Sequence, residues 1–184
     1  MKFKPENPFF TVIVICYNSE ITIERCINSI LSQTYEYLDL ICINDGSTDN
    51  TLRLLEKFAS RDNRVRIFSQ KNKGRGVARN VGVQNSNSQF ISFVDSDDHL
   101  DKDFLLHAHA TIQANKTDLI IYDIKYKNDL LSESKDKIIN ERYYIEEKIF
   151  CFYRSQSVIS CVFSRNLFVN NKILFPSNKS FEDF

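Results

Sequence analysis

The sequence predicts an α/β fold, a mostly parallel sheet flanked by helices on both faces. Three observations carry this. Short, β-branched apolar runs alternate with helically periodic segments from residue 11 to residue 122. The spacing between runs leaves room for βαβ crossovers rather than hairpins. Polar turn motifs stand directly after the runs, and parallel sheets bind ligands beyond the carboxyl ends of their strands. A hydrophobic content of 42% over 184 residues supplies a core for one continuous domain and excludes a disordered chain.

The elements follow in order. Thr11–Cys16 is continuously apolar and suits a strand buried on both faces. From Ile21 to Ser32, Ile23, Cys26, Ile27, Ile30 and Leu31 recur at helical spacing, with Ser19 or Thr22 as cap. Leu38–Ile43 reads as the second strand, and Thr48–Ala59 as a helix with Leu52, Leu55 and Phe58 on one stripe. Val65–Phe68 is a short strand, Gly76–Gln84 a helix and Phe90–Val94 another buried strand. Leu100–Asn115 is helical by pattern and Leu119–Tyr122 is a strand. Lys125–Lys137 is polar and reads as an exposed connection, after which 149–175 carries one helix and one strand.

Charge and cysteine content exclude several classes. Lysine plus arginine and aspartate plus glutamate both number 24, so no overall positive field recruits nucleic acid. Cys16, Cys26, Cys42, Cys151 and Cys161 are odd in number and form no C-x-x-C pair, which supports neither a disulfide framework nor a zinc site. The first residues lack a signal core, and the longest mostly apolar run, Phe9–Tyr17, is far short of the roughly 18–20 residues that span a bilayer. A cytoplasmic chain is expected, with peripheral contact at the inner face of the membrane left open.

All four glycines fall between Gly46 and Gly82, which directs attention to that stretch. The sharpest motif lies just beyond it: Asp95, Asp97, Asp98, Asp101 and Asp103 follow the Phe90–Val94 run. Hard oxygen donors so close at a strand end suit Mg²⁺ or Mn²⁺. Aspartates also cap helices, and Asp98 and Asp101 precede one, so both readings stand here. Upstream, Arg61, Arg64, Arg66, Lys71, Lys73, Arg75 and Arg79 face a single acid, Asp62. A helix N-terminus with Lys and Arg suits a diphosphate, and the same run is also read as a solvated basic face. Asp45 could accept a hydrogen bond from a base, or Asp45-Gly-Ser47 is an ordinary turn. Tyr17 could pack on a ring and Glu20 could accept hydrogen bonds.

Together these strand ends describe a pocket for a nucleotide diphosphate and its metal. The strings Val12–Asn18, Ser29–Thr34, Ile43–Asp49, Asn72-Lys-Gly74, Ala78–Gly82 and Phe93–Asp98 resemble, in order, nucleotide-sugar glycosyltransferases of family 2, which have the GT-A fold. The resemblance implies that Tyr17, Glu20 and Asp45 hold the base and ribose, most often uridine. It implies Lys73 and Arg79 near the base and diphosphate, Asp95 near the ribose, and Asp97 at the metal, with Asp98 sharing or replacing it. More weakly, Cys161–Phe168, Ile173–Phe175 and Phe181–Asp183 are similar to bacterial surface-polysaccharide transferases, which implies Asp183 as the general base.

The expected function is inverting transfer from a nucleotide-diphosphate sugar, a UDP-sugar, to a saccharide or lipid-linked acceptor. Residues 9–105 form the donor half and 106–184 part of the acceptor half of a single domain. Members of the family continue beyond the position of Phe184, so the chain is expected to be C-terminally truncated. The rival from another class is a nucleotide-sugar binding remnant without transfer. A response-regulator-like receiver needs an acid pair after the first strand, where Tyr17-Asn18 stands, and a nucleotidyltransferase needs a glycine-rich loop there.

Overall fold

The computed structural model describes residues 9–121 and 161–177. In chain order it contains β1 (Phe10–Cys16), α1 (Ile23–Leu31), β2 (Leu38–Asp45), α2 (Thr51–Ala59), β3 (Val65–Gln70), α3 (Arg75–Asn85), β4 (Phe90–Asp95), α4 (Phe104–Asn115), β5 (Leu119–Ile121), β6 (Cys161–Ser164) and α5 (Arg165–Asn171). The alternation expected from periodicity is present. In the described part of 149–175, the expected strand and helix are β6 and α5. Residues 122–160, with the polar Lys125–Lys137 connection and Cys151, and 178–184, with Asp183, lie outside the described residues.

Among the described residues, one six-stranded sheet runs in the order β3-β2-β1-β4-β6-β5. β1, β2, β3 and β4 pair in parallel, with Ile13 opposite Ile41 and Phe93. β6 runs antiparallel to both β4 and β5, which makes the sheet mixed at that side. The winding goes outward from β1 to β3 and returns at β4, so the topological switch point lies between β1 and β4.

Alternation along the strands sorts the core into two layers. Val12, Val14, Leu40, Cys42 and Val94 pack with Ile23, Ile27 and Ile30 of α1, Leu55 of α2 and Leu105 and Ala108 of α4. Ile13, Ile41, Ile43, Ile91 and Phe93 face Ala78 and Val83 of α3 and Phe168 of α5. Helices therefore cover both faces, which explains why the central strands read as unbroken apolar runs. Cys16, Cys26, Cys42 and Cys161 are free thiols buried in these layers.

Helix starts differ from the periodicity in an informative way. α2 begins at Thr51 rather than Thr48, because residues 47–50 are bound by the β1–α1 loop. α4 begins at Phe104 rather than Leu100, because Ser29 of α1 and Gln33 just beyond it hold the intervening backbone. Among the described residues no helix is long and apolar enough to cross a membrane.

Candidate functional site

The polar motifs occupy the carboxyl ends of the four parallel strands, as strand direction requires. Directly after β1, which lies between β2 and β4, comes Tyr17, half exposed at 50%. Beyond it the β1–α1 loop clasps the β2–α2 turn. The Asn18 amide donates to Ser47 Oγ at 3.1 Å, and Asn18 Oδ1 accepts from the Thr48 amide at 2.8 Å. The Ser19 amide donates to Thr51 Oγ1 at 2.7 Å. Glu20 belongs to this clasp: its Oε2 accepts from the Asn50 amide at 3.0 Å and from Asn50 Nδ2 at 2.8 Å.

Asp45, 3% exposed, ends β2. Its Oδ1 accepts from Gln70 Nε2 at 2.7 Å and the Lys73 amide at 2.9 Å, while Oδ2 accepts from the Gly74 amide at 3.0 Å. Those three donors leave about one of the four acceptor positions of a carboxylate open. The carboxylate thus fixes the β3–α3 loop and presents the N-terminus of α3. Gly46 makes this approach feasible: its φ is +76°, and a Cβ there would lie 2.7 Å from the Asn72 backbone nitrogen. The Lys73 side chain is exposed at the rim.

The acidic cluster forms at the end of β4. One carboxylate oxygen from each of Asp95, Asp97 and Asp98 lies within 4.8 Å of the others. Burial pushes the Asp95 carboxyl above the ordinary carboxylate range; Arg79 and Arg75 pull it back, and Asp97 adds to the rise. Partial desolvation, then the charges of Asp97 and Asp95, raise the exposed Asp98 as well. Three hard oxygen donors whose negative charges oppose each other are a donor set suited to Mg²⁺ or Mn²⁺, so the residues fit the expected cation. Arg79 is buried on α3, 3.8 Å from Asp95 Oδ1, with its guanidinium 5.6 Å from the centre of the Phe175 ring. Asn80 fixes Phe175 in turn, donating Nδ2 to its carbonyl at 2.9 Å and accepting its amide at 2.8 Å.

The structure thus brings Asp95, Asp97, Asp98 and Arg79 together at the end of β4, and Asp45 with the Lys73 backbone at the end of β2, two strands across. A hydroxyl contact of 2.7 Å between Ser19 and Ser96 joins the β1 and β4 loops across the switch point. Glu20 sits apart: with Ile21, Asn50, Arg53, Leu54, Lys57 and Arg61 it lines a shallow depression of about 840 Å³ that includes none of the other expected site residues. Sequence reasoning did not assign roles to Asn80, Phe175 or the polar side chains of α1. For α1 and the residues just after it the signal was Ser29 and Gln33, four residues apart beside an apolar stripe.

A parallel sheet with an acidic triad at its switch point is shared by several families, and the whole pattern of the chain separates them. The sequence model of Glycosyl transferase family 2 matches residues 11–174. The chain belongs to glycosyl transferase family 2. Within that family it is 32% identical over 140 residues to Glycosyltransferase GlyA of Streptococcus pneumoniae, covering 76% of this chain and 20% of GlyA. It is 42% identical over 96 residues to chondroitin synthase of Escherichia coli, covering 52% of this chain and 14% of that one. The crystal structure of TarS 1–349 from Staphylococcus aureus superposes with a TM-score of 0.76 at 29% identity, over 95% of this chain and 52% of that one. TarS 1–349 has also been solved with UDP and with UDP-GlcNAc, at TM-scores of 0.74. The fold of this family 2 chain is therefore GT-A. The chain spans a fifth of GlyA and about half of TarS 1–349.

Proposed function

We propose that the chain binds a nucleoside-diphosphate sugar, with uridine as the nucleoside, and transfers a hexosyl group to a saccharide or lipid-linked acceptor in cell-surface polysaccharide synthesis. The observation that carries this reading is the placement of the acidic triad beside Arg79 at the end of β4, one strand from Tyr17 and two from Asp45. The uridine assignment rests on likeness to TarS. Residues 9–105 serve as the donor half and 106–184 as part of the acceptor half.

Tyr17 stacks on the base, and the remaining acceptor position of Asp45 takes a base N–H. Lys73 and the N-terminus of α3 face the diphosphate, where positive charge and the helix dipole favour an anion. Glu20 acts on the base side through the β2–α2 turn that it binds. Asp95, Asp97 and Asp98 would hold Mn²⁺ or Mg²⁺, which when bound supplies positive charge to the departing diphosphate. Transfer is inverting: the acceptor oxygen bonds to the anomeric carbon as the bond from that carbon to the diphosphate oxygen breaks. The diphosphate keeps the electron pair, and a carboxylate takes the acceptor proton. By family likeness we assign that carboxylate to Asp183.

Calorimetric titration of UDP with and without Mn²⁺, followed by assay of sugar release from UDP-sugars, tests the proposal. Metal-enhanced UDP binding with turnover is expected. The Asp97→Asn variant should lose the metal enhancement, roughly ten- to hundred-fold in apparent affinity. Absence of UDP binding would sink the reading, and binding without sugar release would favour a donor-binding remnant.

A further inference from the structure

Three like charges at the end of β4 must be held together by something, and the structure shows what grips their loop from one side. α1 and the two residues beyond its cap bind nearly every turn of residues 95–105. The Arg25 guanidinium donates to the Asp97 carbonyl, and the Cys26 thiol to the Asp95 carbonyl at 3.6 Å. Ser29 Oγ accepts from the Leu100 amide at 3.0 Å. The Thr34 amide donates to the Lys102 carbonyl at 3.1 Å, and its hydroxyl to Asp103 Oδ1 at 2.8 Å.

Gln33 stands at the centre of this seam. It is 5% exposed, and both ends of its amide are engaged. Nε2 donates to the Asp101 carbonyl at 2.6 Å and to the Ser29 carbonyl at 3.2 Å, while Oε1 accepts from the Leu105 amide at 3.0 Å. One side chain therefore ties the end of α1 to the acidic loop and to the first turn of α4. A buried amide with all its partners in place has no alternative rotamer that keeps them.

We infer that Gln33 is a positioning residue that sets the spacing of Asp95, Asp97 and Asp98 for a shared divalent cation. The inference rests on the cation reading given above. Gln33 touches neither carboxylate nor ligand; it acts through the backbone of residues 100–105. Two variants separate this from general stability. Gln33→Met removes both polar ends at similar length. Gln33→Glu keeps the acceptor for the Leu105 amide and removes the donor to the Asp101 carbonyl.

The test uses the full chain, with Mn²⁺ titrated calorimetrically in the presence of UDP and amide hydrogen exchange followed along residues 96–103. Both variants should bind Mn²⁺ about ten- to hundred-fold more weakly, exchange faster over that loop, and bind UDP without metal as the parent does. A folded variant with parental Mn²⁺ affinity would overturn the inference, as would equal losses of UDP binding with and without metal. If Gln33→Met does not fold, Gln33→Glu decides. If the parent itself shows no Mn²⁺ dependence, the cation reading fails. Exchange over 96–103 then decides the positioning role: faster in Gln33→Glu upholds it and unchanged overturns it.

Discussion

Asp98 shows how a single side chain can oppose folding in one solution and favour it in another. Partial desolvation and the neighbouring Asp97 and Asp95 raise its pKa, so the folded chain holds that proton more tightly than the unfolded one. Its contribution to stability is complete below the ordinary carboxylate value and is lost as pH climbs through the raised one. Asp62 works in the opposite sense. The Arg64 guanidinium, 2.8 Å away, lowers its pKa, so its contribution is lost as pH falls through the lowered value. The difference between Asp98→Asn and the parent isolates the first effect. In EDTA at neutral pH the variant should melt above the parent, with the gap closing on acidification; Mn²⁺ should then raise the parent's midpoint more than the variant's. At this scale the sequence was legible where a motif follows an apolar run directly. Asp95, Asp97 and Asp98 are grouped by a span of three peptide bonds and a strand end. Glu20 was not legible in that way, since its partner Asn50 stands thirty residues on, and only the docking of two turns brings them together.

Among the elements, α3 approaches the sheet closely at Gly82. A Cβ on Gly82 would stand 2.5 Å from Ile13 Cγ2, so the helix lies against β1 at a distance that only glycine allows. Gly82→Ala should cost about 1–3 kcal/mol in denaturant unfolding, the usual range for overpacking. Ile13→Ala on the same background should recover part of that loss, so the double variant costs less than the sum of the two singles. The alternation of strands and helices could be read from periodicity, because Val12 to Val14 and Ile23 to Ile30 each follow the spacing of their own element. The first turns of α2 and α4 could not. Thr48 and Leu100 carry helical pattern, but Asn18 and Ser29 bind their backbone amides and delay the helix. Propensity yields there to hydrogen bonds made across the fold.

At the scale of the whole molecule, an aromatic layer joins the late segment to the early sheet. Phe175 packs edge-on against Phe93 of β4 at 5.3 Å and stacks with Phe168 of α5 at 5.8 Å, beside Arg79. Phe175→Ala should cost about 3–5 kcal/mol by denaturant titration, and it should weaken UDP binding because Arg79 loses the ring beside it. Nothing in the sequence announced that contact, which spans the separation between α3 and the residues after α5. The parallel half of the sheet was legible from its apolar runs; the reversal at β6 was not, since a four-residue strand carries no mark of direction. That reversal has a consequence for how the chain is made. β5 pairs with β6, and β6 fills the place between β5 and β4. As the polypeptide emerges during synthesis, β1 to β4 can associate while one flank of β4 still exposes its backbone donors and acceptors. Only after residue 164 has appeared can that flank close, and β5 must wait for a strand made some forty residues later. Such late, long-range pairing is slow, and until it is complete an open flank can pair with another nascent copy. The last strand of the described sheet thus serves as its seal.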